Sequence, residues 1–224
     1  MYQVAIDGPS GAGKSSLAKA AAARLGIVYV DTGALYRTIG YYVTQKGIAP
    51  DDAARVVDVL PEIHIELKFE NGTQYVYLNG ENLGDKIRRP EISMAASSVS
   101  KIPEVRAFLL ETQKSIARTH SVIMDGRDIG TVILPDADVK IFLFASDEAR
   151  ALRRTRELES KGMPAKYEDV LREMRERDEQ DRNRDVAPCV PAPDAVMFDN
   201  SDLTVEQSIE RLIEIVREHV PTAR

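Results

Sequence analysis

The sequence predicts an α/β fold: a five-stranded parallel sheet with flanking helices, into which a small antiparallel β meander and a charged helical segment are set. Three observations carry this. The first strand, helix and second strand follow one another through short connections, which implies a parallel pair with a right-handed crossover. Further apolar strands and helical patterns alternate in the second half of the chain. Between them the apolar period shortens to two, with Asn-Gly dipeptides at the turns.

Residues 2–6 form the first strand and run through a glycine-rich turn into an alanine-rich helix over Lys14–Leu25, stopped by Gly26. Residues 27–30 read as the second strand. The next helix carries Leu35, Ile39 and Val43 on one face and gives way at residues 46–52. From Ile63 the side chains of Ile63, Ile65, Leu67 and Phe69 alternate to one side, and Asn71-Gly72 and Asn79-Gly80 mark hairpin turns. A helix after Pro103 runs through Val105, Leu109, Thr112 and Ile116, and residues 121–125 and 138–145 read as buried strands. Residues 147–185 are almost wholly charged, helical in propensity and interrupted at 161–164, so this segment is expected to stay out of the core. Residues 194–198 supply the fifth strand. The last helix opens with Thr204 and Gln207 at capping-box spacing, and Val205, Ile209, Leu212, Ile213 and Val216 form its apolar stripe.

With 224 residues and 43% hydrophobic content, the chain has room for a real core and suits one domain carrying insertions. A formal charge of -6 argues against non-specific coating of nucleic acid, so any anion binding must be local. Cys189 is the only cysteine, which excludes an intramolecular disulfide, and no Cys/His cluster has zinc spacing. The start of the chain lacks a basic n-region, and no apolar run reaches the length of a membrane span. A cytoplasmic protein with no membrane and no nucleic-acid partner is expected.

Gly8, Pro9, Ser10, Gly11, Ala12, Gly13, Lys14 and Ser15 match G-x-x-x-x-G-K-[ST] between an apolar strand and a helix, with Ser16 following. Glycines let such a loop turn its N–H groups toward one anion, and the helix N-terminus adds positive potential. Lys14, read as an exposed charge, would reach the β/γ-phosphates, and the Ser15 hydroxyl would ligate Mg²⁺. The pattern points to a nucleoside triphosphate with magnesium. Water as phosphoryl acceptor would make the protein a hydrolase or switch, and a second bound molecule would make it a kinase. There is no guanine-reading N-K-x-D. Asp125, at the end of a strand, could serve a magnesium-bound water or simply cap its turn, and no glutamate follows to activate an attacking water.

"DTGALYR" (31–37) begins at the carboxyl end of the second strand, the edge at which open α/β sheets bind ligands. Leu35 and Ile39 take the buried face, so Tyr36 and Arg37 are expected to project elsewhere, as an aromatic plate and a phosphate fork. "DGRDIGT" (125–131) repeats the arrangement at the third strand, where Arg127 and Asp128 could pair with each other. In "RDEQDRNR" (177–184), Arg177, Asp181 and Arg184 share one helix face. Asp178 and Arg182 lie on another, suited to a solvated i,i+4 pair.

Together, "GPSGAGKS", "DTGALYR", "ASSVSKIPEVR", "DGRDIGT" and "RDEQDRNRDVAP" resemble, in order and content, the motifs of bacterial-type cytidylate kinases across essentially the whole chain. The resemblance implies a P-loop nucleoside monophosphate kinase fold and transfer of the ATP γ-phosphoryl to CMP or dCMP, with Mg²⁺ as cofactor. It also implies a core of 1–35, 107–146 and 186–224, a monophosphate-binding region with the meander at 36–106, and a lid at 147–185. In that family the monophosphate meets arginines that match Arg37, Arg127 and Arg184. The base meets residues matching Ser97, Arg106 and Asp128, and the ribose meets Arg177, Asp181 and Thr32. Lid arginines meet the transferring phosphoryl, and Arg153 is the candidate here. Thr32 stands where serine is also common, Arg182 where serine is usual and Cys189 where leucine is usual. A monomer is expected.

Overall fold

The computed structural model describes residues 1–70, 73–160 and 162–220. In chain order the elements are β1 (Gln3–Asp7), α1 (Lys14–Leu25), β2 (Val28–Asp31), α2 (Thr32–Gln45), α3 (Ala53–Val59), β3 (Ile65–Glu70), β4 (Thr73–Leu78) and β5 (Glu81–Asn82). They continue with α4 (Pro90–Val99), α5 (Pro103–Thr119), β6 (Val122–Asp125), β7 (Val139–Phe144), α6 (Asp147–Ser160), α7 (Tyr167–Asn183), β8 (Val196–Asp199) and α8 (Val205–His219). The five-stranded sheet has the order β2-β6-β1-β7-β8, and β6–β1, β1–β7 and β7–β8 are parallel pairs. The chain divides into two compact units, Met1–Ile27 with Val122–Arg224, and Val28–Ser121.

In the first unit, β1 and β6 are apolar and fully buried through Val4, Ala5, Ile6, Ile123 and Met124, as strands covered on both faces must be. Helix α1 buries Leu17, Ala18, Ala21, Ala22 and Leu25 and ends at Gly26 in the left-handed conformation, φ 65°. The capping box of α8 is present, with Thr204 and Gln207 exchanging side-chain and backbone hydrogen bonds. Its stripe differs from the expectation at one end. Ile209, Leu212, Ile213 and Val216 are buried, but Val205, on the first turn before the helix reaches the core, is 67% exposed.

A second correction concerns residues 147–185. Their two helices bury Ala151, Val170 and Met174 as a small cluster of their own, and they bury Arg150 and Asp178 as well. A charged sequence can do this because the charges satisfy one another. Lys161, part of the expected interruption, lies outside the described residues.

In the second unit, the Asp31 side chain caps α2 by accepting from Ala34 N–H at 3.0 Å. Leu35, Ile39 and Val43 are fully buried. Gly40 lets α4 approach closely: a Cβ there would stand 2.9 Å from Ala96 N. Strands β3, β4 and β5 form the expected antiparallel meander. Asn79 and Gly80 both have positive φ, 50° and 85°, the signature of a two-residue hairpin turn. The Asn71-Gly72 turn lies outside the described residues. On α5 the buried face is Val105, Leu109, Gln113 and Ala117, with Thr112 and Ile116 at its margin. Among the described residues no helix is long and apolar enough to cross a membrane.

Candidate active site

The loop after β1 can be nothing but glycine at its first position. Gly8 has φ 147°, and a Cβ on it would lie 1.9 Å from the Leu143 carbonyl oxygen. Gly13, φ 89°, forms the N-cap of α1. Lys14 is not the exposed charge expected of it, being only 5% exposed, and its Nζ donates to Pro9 O at 2.6 Å. Burial, reinforced by the Arg127 charge, pushes its ammonium down to about 7 against the pull of Asp125, Cys189 and Asp7. Ser15 Oγ donates to Asp125 Oδ2 at 2.8 Å, so the strand-end carboxylate faces the loop hydroxyl. Among the described residues no group of three or more His, Cys, Asp or Glu could hold a metal ion. A hydroxyl beside a single carboxylate suits magnesium, which keeps several waters and takes phosphate oxygens for the rest of its shell.

Asp7, at the end of β1, ties this loop to the next. Its two carboxylate oxygens accept from Ile129 N–H and Gly130 N–H, each at 2.7 Å, fixing the turn that follows Arg127 and Asp128. Burial raises its pKa to about 6, although both N–H groups and Lys14 favour the ion. A carboxyl raised in the folded state binds its proton more tightly there, so its stabilising contribution is present at low pH and is lost as pH rises through the window from 3.8 to about 6. Relative to Asp7→Asn, the unmodified chain is expected to lose about 3 kcal/mol over that window and nothing above it. Urea unfolding of both proteins at several pH values measures the difference. A difference that is flat or grows with pH would mean that the two hydrogen bonds outweigh burial.

Arg127 and Asp128 do not pair with each other. Arg127 Nε donates to Asp181 Oδ2 at 2.9 Å, while Asp128 Oδ1 lies 3.6 Å from Arg184 Nη2. The sequence neighbours point to different partners because α7 presents a carboxylate and a guanidinium one turn apart. Burial works against both charges of the Arg127–Asp181 pair, yet their attraction holds the arginine above and the aspartate below its ordinary pKa, with Arg177 and Arg184 adding to the latter. Arg184 ends α7, 3.9 Å from Asp181 Oδ1, and its Nε donates to Ala187 O. Cys189 N–H donates to Asp181 O at 2.8 Å, and burial pushes its thiol pKa up. Arg127, Arg177 and Arg184 all act on the Asp181 carboxylate, and Arg184 also stands 3.6 Å from Asp128.

In the second unit Arg37 Nη2 pairs with Asp31 Oδ2 at 2.6 Å, and Thr32, buried, starts the helix between them. Gln74 of β4 grips the backbone of Asp31 at two points, accepting from its N–H at 2.8 Å and donating to its carbonyl at 3.2 Å. The meander therefore braces the start of α2. Tyr36 does not project as expected. It is buried in the core cluster, and the Arg106 guanidinium lies 5.5 Å from its ring centroid. Arg106 also donates to Ser100 O, and the Ser97 carbonyl accepts from Ser100 Oγ. Tyr36, Ser97 and Arg106 are thus joined through contacts among α2, α4 and α5.

Arg153 of α6 donates to Asn200 Oδ1 and to the carbonyls of Asn200 and Ser201, and Asn200 Nδ2 donates to Ala12 O of the phosphate loop. Asp178 corrects another expectation. It is buried against Arg150, leaving Arg182 exposed without it. Asp7, Gln74, Arg150 and Asn200 carry no motif of their own, and the face of Asp178 is buried at that residue rather than solvated. Only the position of Asp7, directly before Gly8, offered a local signal.

A parallel sheet whose first strand runs through an arched glycine loop onto a helix, with lysine, hydroxyl and carboxylate at its mouth, defines the phosphate-loop class of nucleotide-dependent kinases. Within that class the cytidylate kinase family model matches residues 4–218, and the chain belongs to this family of nucleoside monophosphate kinases. The cytidylate kinase of Fervidobacterium nodosum is 50% identical over 216 residues, 96% of each chain. That of Caldicellulosiruptor bescii is 46% identical over 212 residues, 95% of this chain and 94% of its own. A solved structure of an uncharacterized protein from Eubacterium ventriosum shares the fold, with a TM-score of 0.50 at 14% identity over 97% of this chain and 98% of that one.

Proposed function

We propose that the chain transfers the γ-phosphoryl group of ATP to CMP or dCMP, giving ADP and CDP or dCDP. Membership of the cytidylate kinase family over residues 4–218 is the observation that carries this reading. The loop of Gly8, Pro9, Ser10, Gly11, Ala12, Gly13, Lys14, Ser15 and Ser16 would hold the donor's phosphates through backbone N–H groups and the Lys14 ammonium. Mg²⁺, held by Ser15 and through Asp125, would neutralise charge on the β/γ-phosphates. No protein nucleophile is required, because the acceptor is itself an anion and catalysis is positioning plus charge neutralisation.

Arg37, Arg127 and Arg184 are assigned to the acceptor's phosphate, Ser97, Arg106 and Asp128 to its base, and Thr32, Arg177 and Asp181 to its sugar. Tyr36 supports Arg106 from below. Arg37 and Arg127 are already held by Asp31 and Asp181, which favours binding because less side-chain freedom is lost when the anion arrives. Residues 147–185 act as a lid that keeps water from the γ-phosphoryl, with Arg153 leaving Asn200 for it on closure. The chain works in the cytoplasm as a monomer on free nucleotides, and its net charge of -6 disfavours nucleic acid.

A coupled ADP-release assay with CMP, dCMP, UMP, AMP, GMP and no acceptor tests the reading. Fast release with CMP and dCMP and almost none without acceptor is expected. Equal release without acceptor would make the protein a hydrolase, and preference for another monophosphate would make it a different kinase of the same fold.

A further inference from the structure

We infer that Arg150 and Asp178 are positioning residues that hold the arch of the phosphate loop in its donor-binding shape. Side chains of the two charged helices take both main-chain polar groups of Ser10. Its N–H donates to Asp178 Oδ1 of α7 at 2.9 Å, and its carbonyl accepts from Arg150 Nη1 of α6 at 2.6 Å. The same Nη1 bonds Asp178 Oδ2, which closes a ring of three groups. Arg150 is itself fixed, with Nη2 on Asp147 Oδ1 at 2.5 Å and Nε on Ala145 O at 3.1 Å. The pair is nearly closed to water, its side chains 4% and 9% exposed.

The next loop residue leaves little room for a side chain. Gly11 has φ 72°, and a Cβ on it would lie 2.5 Å from Met174 Cε and 3.5 Å from Arg150 Cβ. Ser10 is therefore set from outside the loop by hydrogen bonds, and Gly11 beside it has the left-handed backbone that favours glycine.

A glycine-rich loop has many conformations to lose, and its N–H groups cradle phosphate only when they converge. Fixing Ser10 before the donor arrives removes part of that cost from binding. Pairing matters for another reason: an uncompensated carboxylate beside the loop would repel phosphate, and Arg150 offsets it. These two roles make opposite demands on Asp178. As a charge alone, its removal would tighten donor binding; as a clamp, its removal weakens it.

The inference rests on the reading of the loop as an ATP site, so the experiment separates the two. Binding of the non-hydrolysable analogue AMP-PNP with Mg²⁺, and separately of CMP, is measured by calorimetry for the unmodified chain, Asp178→Ala, Asp178→Asn and Arg150→Ala. The expected result is about tenfold weaker AMP-PNP binding by Asp178→Ala and Arg150→Ala, with CMP affinity within about twofold. Asp178→Asn keeps an acceptor for Ser10 N–H and should recover part of the loss. If Asp178→Ala does not fold, Asp178→Asn and Arg150→Ala carry the test through the same split between the two ligands. Unchanged or tighter AMP-PNP binding by the folded Asp178 variants overturns the clamp, and so does an equal loss for both ligands, which would mark a general structural role. Failure of the unmodified chain to bind AMP-PNP would overturn the ATP reading instead.

Discussion

Lys14→Ala is expected to lower kcat by about a thousandfold while the protein stays folded. The size follows from the position of the lysine at the start of α1, behind a loop that supplies only neutral N–H donors, so that no other loop side chain can place a charge on the β/γ-phosphates. Stability is expected to change little because two effects oppose each other. Pro9 O loses the donor it has at 2.6 Å, which costs about 1–3 kcal/mol, and a buried ammonium pushed down to about 7 no longer has to be accommodated. Steady-state kinetics with CMP, read beside thermal unfolding, checks both halves. A folded variant with near-normal kcat would remove the phosphate loop from the mechanism.

Features set by local rules were legible in the sequence. Helix α1 spans Lys14–Leu25 as expected, because the glycines at its ends act on adjacent backbone. The Thr204/Gln207 cap and the Asn79-Gly80 turn are equally local. The burial of Tyr36 is not legible because the stripe of Leu35, Ile39 and Val43 is narrower than the buried arc on α2, which also takes in Thr38 and Gly40. The burial of Lys14 is not legible in the sequence because the motif specifies its target and not its surroundings. The Asp178 error has a different origin. Its i,i+4 neighbour Arg182 offered a local partner, whereas the partners it takes, Arg150 and Ser10, are 28 and 168 residues away. Pairings at such separation leave no periodic trace, and for the same reason Asp7 with Ile129 and Gln74 with Asp31 were invisible. The motifs of the site were therefore readable as a set, through the family they resemble, while the groups that brace them were not.

Asp128→Asn is expected to narrow the preference for CMP over UMP. Cytosine presents an N4 amino donor beside an N3 acceptor, and uracil presents an O4 acceptor beside an N3–H donor, so the two bases invert the pattern at adjacent positions. A carboxylate at Asp128 accepts only, and the guanidinium of Arg106 donates only. If these two groups read that edge, as proposed, CMP satisfies both, whereas UMP sets carbonyl against carboxylate and N–H against guanidinium. Sites built on such hydrogen bonds discriminate by about 10⁴ or more, because the mismatched groups are left buried and unpaired. Asp128 is buried, and Arg184 stands 3.6 Å from it, so its carboxylate has little freedom to turn away from a poor match. The asparagine amide can turn its oxygen to N4 of cytosine without the charge, or its NH₂ to O4 of uracil, so the loss falls mainly on CMP. The most direct measurement is the ratio of kcat/KM for CMP to that for UMP, in the unmodified protein and in Asp128→Asn. A ratio of about 10⁴ that falls at least about tenfold in the variant is expected; a ratio that is the same in both proteins would contradict the assignment of Asp128 to the base.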